Sequence, residues 1–188
     1  MFAGFIMVIT AQLSLLNDSL KNLHTFSSHE GKPTVENINE EAMIKNIIKC
    51  VHNHQEILKF TKEIESLFTV ATFGQFSISV LILCTTLFKL ASLEKNNLEF
   101  FSLVLYIFVI TSEVFIFCYF GNEVITKHNE LTNSAYHSEW RNCSKTFRKN
   151  LIFFMTRSQK TLRLLAGGYV TLSLETFVAV TNIYYKLF

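Results

Sequence analysis

From Ser66 to Phe88 the chain reads SLFTVATFGQFSISVLILCTTLF, without one charged residue. That length matches the roughly 20 apolar residues that carry a helix through a hydrocarbon core ~30 Å thick. No solvent there satisfies a backbone amide, so a segment in that medium is committed to helix. A second such run, FFSLVLYIFVITSEVFIFCYF from Phe100 to Phe120, is interrupted only by Glu113, whose expected role is a buried polar contact rather than a site. A third, from about Leu164 to Phe188, is more polar and carries Glu175, Asn182 and Lys186. Such a helix should not face lipid all round. With 49% hydrophobic residues, 19 phenylalanines and a single proline, the expected fold class is an all-α, multi-span helical membrane protein, not a soluble enzyme.

Residues 1–16, MFAGFIMVITAQLSLL, are apolar but short. No basic region precedes them and no A-x-A-like cleavage site follows, which favours the tail of a truncated transmembrane helix over a signal peptide. Next comes a polar stretch with turn residues in SSHEGKP. Asn37 with Glu40 three residues on has the pattern of a capping box, and Ile44, Ile47, Ile48, Val51, Leu58 and Ile64 recur at helical spacing. An amphipathic helix is therefore expected to run straight into the span at Ser66. A solvated helix packed on its own neighbours and a subunit contact both remain open for it.

Sidedness follows from where lysine and arginine collect. The link between the first two complete spans holds Lys89 and Lys95, whereas the segment after the second holds Lys127, Arg141, Lys145, Arg148, Lys149, Arg157, Lys160 and Arg163. Both long polar segments are expected in the cytoplasm and the C-terminus outside. A receptor of the G-protein-coupled kind ends in the cytoplasm, so this orientation disfavours it. The basic run from Arg141 to Arg163 is interleaved with Phe147, Leu151, Ile152, Phe153, Phe154 and Met155. It reads as a basic amphipathic helix at the inner membrane surface, and its tether between two spans argues against nucleic-acid binding.

Chemistry-bearing motifs are few. Cys50, Cys84, Cys118 and Cys143 lie at irregular intervals without a CxxC pair and read as reduced thiols. His52 and His54, two apart on a helix, diverge by roughly 200° and do not converge on a metal. No nucleophile with its base and no phosphate-binding glycine loop stands out, and no cofactor is expected. In the last span, Thr171, Glu175, Asn182 and Lys186 fall four, seven and four apart with Val178 in the gap, which places them on one helix face. That face is a water-lined path or a seam sealed by partner helices, because an unpaired charge in the bilayer is costly.

From His52 onward the chain resembles the insect odorant receptor family, the inverted seven-helix olfactory channels. The first complete span carries His54, Gly74, Gln75, Phe76, Ser79 and Cys84. Then follow CYFGNE at Cys118–Glu123, Ala135 to Trp140 as AYxxxW, FRKNL at Phe147–Leu151, MTRSQK at Met155–Lys160, LAGG at Leu165–Gly168 and LSLETF at Leu172–Phe177. The resemblance implies a tetrameric cation channel, opened by small volatile odorants, in which a tuning subunit assembles with a shared olfactory co-receptor in the plasma membrane of olfactory sensory neurons. It also implies an N-terminus inside and a C-terminus outside. Carried onto this chain, it makes Glu175, Asn182 and Lys186 candidate pore-lining residues and Tyr136, Trp140, Phe147 and Leu151 candidate subunit-anchor contacts. In the odorant pocket it leaves Leu103, Tyr106 and Ile107, for each of which plain interhelical packing is the alternative. Thr161 stands where a proline usually follows SQK, and Gly168 where a basic residue often follows the AG pair.

The expected layout is a helix tail at 1–16, a cytoplasmic segment with an amphipathic helix at 17–65 and a transmembrane helix at 66–90. A short extracellular link at 91–99, a transmembrane helix at 100–122, cytoplasmic anchor helices at 123–163 and a pore-lining transmembrane helix at 164–188 complete it. The expected whole is about the C-terminal half of an odorant receptor subunit. Two other readings stay open: a non-conducting assembly partner or regulator of the co-receptor, and a gustatory relative.

Overall fold

A computed structural model describes residues 2–23, 40–92, 98–138, 140–141 and 143–187. The Asn37–Glu40 cap, most of the 91–99 link and the Lys186 side chain lie outside the described residues. In chain order the elements are helices α1 (Phe2–Lys21), α2 (Glu40–Ala91), α3 (Leu98–Tyr136) and α4 (Lys145–Ser158), strands β1 (Leu165–Ala166) and β2 (Val170–Thr171), and helix α5 (Leu174–Leu187). Helices α1, α2 and α3 are each long and apolar enough to cross a membrane. Among the described residues the protein is all-α apart from one small hairpin.

The chain forms two compact units. A bundle unit comprises Gly4–Glu63 and Glu123–Leu162, and a span unit comprises Met1–Ala3, Ile64–Asn122 and Arg163–Phe188. The amphipathic stretch and the charge-free run are one uninterrupted helix, α2, as their continuous periodicity predicts.

In the bundle unit each helix turns one seam inward in alternating steps of three and four residues. The seams are Ile6, Ile9, Leu13, Leu16 and Leu20 on α1; Met43, Ile47, Cys50, His54, Ile57 and Thr61 on α2; Val124, His128, Leu131 and Ala135 on α3; and Phe147, Leu151, Phe154 and Ser158 on α4. A repeat averaging 3.5 residues keeps a seam facing its partners along the helix, the condition for side chains to interlock. The same seam carries α1 past Leu16 to Lys21, so the polar segment expected from residue 17 begins later. Asn17 is buried there because its amide donates to the Lys127 carbonyl at 3.0 Å and its Oδ1 accepts the Ser134 hydroxyl at 2.9 Å.

Several hydroxyls of the span unit are satisfied within their own helix. Ser77 donates to the Phe73 carbonyl at 2.9 Å, Thr86 to Ile82 at 2.6 Å and Ser112 to Phe108 at 2.8 Å, one helical turn back in each case. A hydroxyl in lipid needs such an internal acceptor. Glu113 makes a polar contact, accepting the Gln75 side-chain amide of the neighbouring span at 2.9 Å, but that contact is exposed and not buried as expected, because Gln75 lies on the outward side of α2.

The helix expected over 164–188 is corrected. Residues 165–171 form a hairpin with Leu165 opposite Thr171 and Ala166 opposite Val170, and α5 starts only at Leu174. Two successive glycines at φ 64° and 76°, Gly167 and Gly168, turn the chain where a helix would need negative φ. Within these residues α5 has 14 residues, about 21 Å of helix.

Candidate functional site

The hairpin explains why α5 begins where it does. The Leu165 N–H donates to Glu65 Oε1 at 3.1 Å, the Thr69 hydroxyl to the Leu165 carbonyl at 3.3 Å, and the Gly167 N–H to the Thr69 carbonyl at 3.1 Å. Glu65, Thr69 and Phe73 are spaced by one helical turn, so one face of α2 clamps the hairpin. A Cβ on Gly167 would lie 2.7 Å from the Phe73 ring, so the position demands glycine for space as well as for φ. A Cβ on Gly121 of α3 would stand 2.4 Å from the Leu172 carbonyl oxygen. The glycines of the LAGG and CYFGNE elements are thus two close approaches that seat the link before α5. Ser173 then caps the helix: its hydroxyl accepts the Thr176 N–H at 3.3 Å, and Thr176 Oγ1 donates to the Thr171 carbonyl at 2.7 Å.

Glu175 occupies the first turn of α5, where a carboxylate is favoured by the free N–H groups of the helix start. Glu175, Val178 and Asn182 all face outward on the same side, while Phe177 packs edge-on against Phe115 of α3 with ring centroids 5.3 Å apart. Thr171 is removed from the helical stripe, because it lies on β2. The polar face of α5 therefore starts at Glu175.

Leu103 and Ile107 are half-buried on α3, and Tyr106 between them is 45% exposed. Of the four residues proposed for the anchor, Tyr136 is exposed and Trp140 half-buried. The Trp140 indole donates to the Tyr136 carbonyl at 3.0 Å, with the two rings 6.3 Å apart. Phe147 and Leu151 are each 1% exposed inside the chain's own bundle, so neither side chain has surface left for a subunit contact. The outward apolar residues of α4 are Ile152 and Phe153, beside exposed Arg148 and Lys149. Reading only the composition of this helix misses them; the spacing of Phe147, Leu151 and Phe154 defines the inner face and leaves Ile152 and Phe153 outside.

Sequence reasoning also missed a buried imidazole pair. His54 of α2 and His128 of α3 meet through Nε2 atoms 3.1 Å apart, and His128 Nδ1 accepts the Leu162 N–H at 3.4 Å. That second bond assigns the tautomers: His128 carries its proton on Nε2 and donates it to His54, whose own proton is on Nδ1. Burial first, and the Arg157 charge second, hold His54 down to about 4 from an ordinary 6.5. Burial and then His54 itself hold His128 down to about 4. Burial pushes the Cys50 thiol up to about 11 against the pull of Lys49, so it is an inert part of the core.

An inward-seamed helical bundle, long helices with apolar exteriors and a clamped hairpin before a polar-faced helix define an all-α, multi-pass membrane protein. The family model described as 7tm Odorant receptor matches residues 1–185. The chain belongs to the 7tm odorant receptor family, a family of receptors rather than enzymes. It is 30% identical to Odorant receptor 10 of Aedes albopictus over 89% of this chain and 43% of that one. It is 27% identical to Odorant receptor Or1 of Anopheles gambiae over 99% of this chain and 48% of the relative. Among solved structures it superposes on the insect olfactory receptor OR5 from Machilis hrabei in complex with eugenol, with a TM-score of 0.76 at 18% identity, covering 96% of this chain and 43% of that one. The chain thus spans less than half the length of each of these relatives.

Proposed function

We propose that the chain acts as part of an odorant receptor subunit, in an odorant-gated cation channel assembled with an olfactory co-receptor in the plasma membrane of olfactory sensory neurons. The observation that carries this reading is the outward polar face of α5, Glu175 with Asn182, on a helix whose start is held by the hairpin clamp. Asn182 and Glu175 outside a membrane helix call for water or a polar partner, and a pore supplies both. In this reading Lys186 continues the face, the C-terminus is extracellular, and Leu103, Tyr106 and Ile107 form part of an apolar wall that holds the odorant by burial. Tyr136 and Trp140, with Ile152 and Phe153, form the outer surface of the subunit anchor, and Phe147 and Leu151 back it from within.

The test is expression of the transcript that encodes this chain beside an insect olfactory co-receptor, with current recorded under a panel of volatiles. Glu175→Gln is expected to change cation permeability without moving the odorant concentration for half-maximal response, and Tyr106→Ala to do the reverse. A current with unaltered permeability in Glu175→Gln and Asn182→Ala overturns the pore assignment. A second reading, a non-conducting partner that binds the co-receptor, is favoured by the closure of the bundle core within this one chain. Altered co-receptor current without any odorant dependence would select it.

A further inference from the structure

The imidazole pair has no part in the proposed conduction path, yet the bundle is built around it. His54 and His128 are 1% and 0% exposed, joined end to end through their Nε2 atoms with centroids 5.3 Å apart and planes at 29°. Phe154 of α4 closes the pocket edge-on, 5.4 Å from His54. Both histidines lie outside the apolar runs. His54 precedes Ser66 by about 18 Å of helix, and His128 follows Phe120 by about 12 Å. Leu162, which donates to His128, is the last residue of the bundle unit.

We propose that this pair is an acid-operated catch: while both rings are neutral it holds the backbone at Leu162, and on protonation it lets that backbone go. The geometry requires one proton on each ring. A second proton on His54 must go to Nε2, which turns the acceptor of the His–His bond into a donor facing another donor. A second proton on His128 must go to Nδ1, which removes the acceptor for the Leu162 N–H. Either event breaks one of the two bonds and places a cation in an apolar core.

The charges around the pair give it nothing to offset that cost. On α4 the group that bears on His54 is Arg157, a like charge. The α1 seam turns Leu13, Leu16, Asn17 and Leu20 to the core, none of them ionisable. On α2, Cys50 stays a neutral thiol one turn before His54. On α3, Lys127 and Glu130 beside His128 pair with each other at 3.2 Å. Among the described residues no group of three or more His, Cys, Asp or Glu that could hold a metal ion is present.

The direction of the effect follows from linkage. An opened pair binds protons from the ordinary 6.5 downward, and the closed pair only near 4. The closed state is therefore fully favoured above 6.5 and loses that advantage as the pH falls toward 4. This inference goes beyond the channel reading and holds whether or not the chain conducts.

The experiment is hydrogen–deuterium exchange on the whole chain in lipid nanodiscs, corrected for the intrinsic pH dependence of exchange, following the peptide that contains Leu162. Protection there is expected to fall about tenfold or more between the two values. His54→Gln with His128→Gln, whose amides donate and accept without titrating, should give a flat profile, and His52→Gln, on the exposed face, should behave as wild type. In parallel, the ring nitrogen shifts of wild-type His54 and His128 should titrate well below the ordinary value. Flat protection in the wild type, the same acid loss in the double glutamine variant, or rings that titrate at the ordinary value would overturn the proposal. The wild-type titration decides it even if the double variant does not fold.

Discussion

The bundle unit and the span unit share α2, and along this one helix the rule for what faces inward reverses. In the bundle part, Met43, Ile47, Cys50 and Ile57 point inward while Lys45, Lys49, Glu56 and Lys59 point out. In the span part the steps of three and four continue, but the inward residues are Thr72, Phe76, Ser79, Leu83 and Thr86, and the outward ones are Leu67, Val70, Ile78, Leu81 and Phe88. Helix packing follows the same geometry on both sides of Ser66; only the surrounding medium differs. Water drives apolar side chains inward. Lipid is as apolar as leucine and drives nothing, so Thr72, Ser79 and Thr86 share the seam with Phe76 and Leu83, their small size allowing close approach. The most apolar window of α3 is only 11% buried for the same reason.

The largest test of this contrast sets two phenylalanines against each other. Phe154→Ala, in the bundle core, should destabilise the chain by about 3–5 kcal/mol, read as a loss of thermal stability in detergent micelles. Phe108→Ala, on a ring that is 69% exposed, should stay within about 0.5 kcal/mol. Equal losses would mean that the apolar exterior of α3 is not lipid-facing at all. Glycines give the next comparison. Gly121→Ala forces a methyl against the Leu172 backbone and should cost about 1–3 kcal/mol, whereas at Gly74 nothing lies within 4 Å and alanine should match or exceed wild type by up to about 1 kcal/mol. A Gly74→Ala variant as damaged as Gly121→Ala would reveal a tight contact on the outward side of α2. At similar size, Asn17→Ala strands the Ser134 hydroxyl in the bundle and should cost about 1–3 kcal/mol, partly restored when Ser134→Ala is added. A double variant no better than the single one would separate the two residues energetically.

How far these features were legible depends on how local their causes are. The charge-free run from Ser66 to Phe88 and the apolar run from Phe100 to Phe120 were readable because insertion into lipid depends on composition over one segment. The continuity of α2 was readable from its period. Glu175 and Asn182 were placed on one face correctly because they lie on the same helix. Thr171 was not, since LAGGYVT reads as small and apolar residues compatible with a span. Its hairpin exists because Glu65, Thr69 and Phe73, about 100 positions earlier in the sequence, hold it in place. The motif makes Phe147 and Leu151 candidate contact residues, yet both are buried within the bundle, a direction that its packing sets and the motif does not.

The amino-acid sequence by itself determined that this chain is helical, that it enters a membrane, where its longest helix runs, and which family it resembles. Those properties follow from local hydropathy, periodicity and ordered motifs. Only the tertiary structure decided that the polar face of α5 begins at Glu175, that two motif glycines mark close backbone approaches, and that His54 has a partner. An imidazole at position 54 is an ordinary seam residue until His128, 74 positions away, is brought within hydrogen-bond distance, because its protonation chemistry is set by what folding buries beside it.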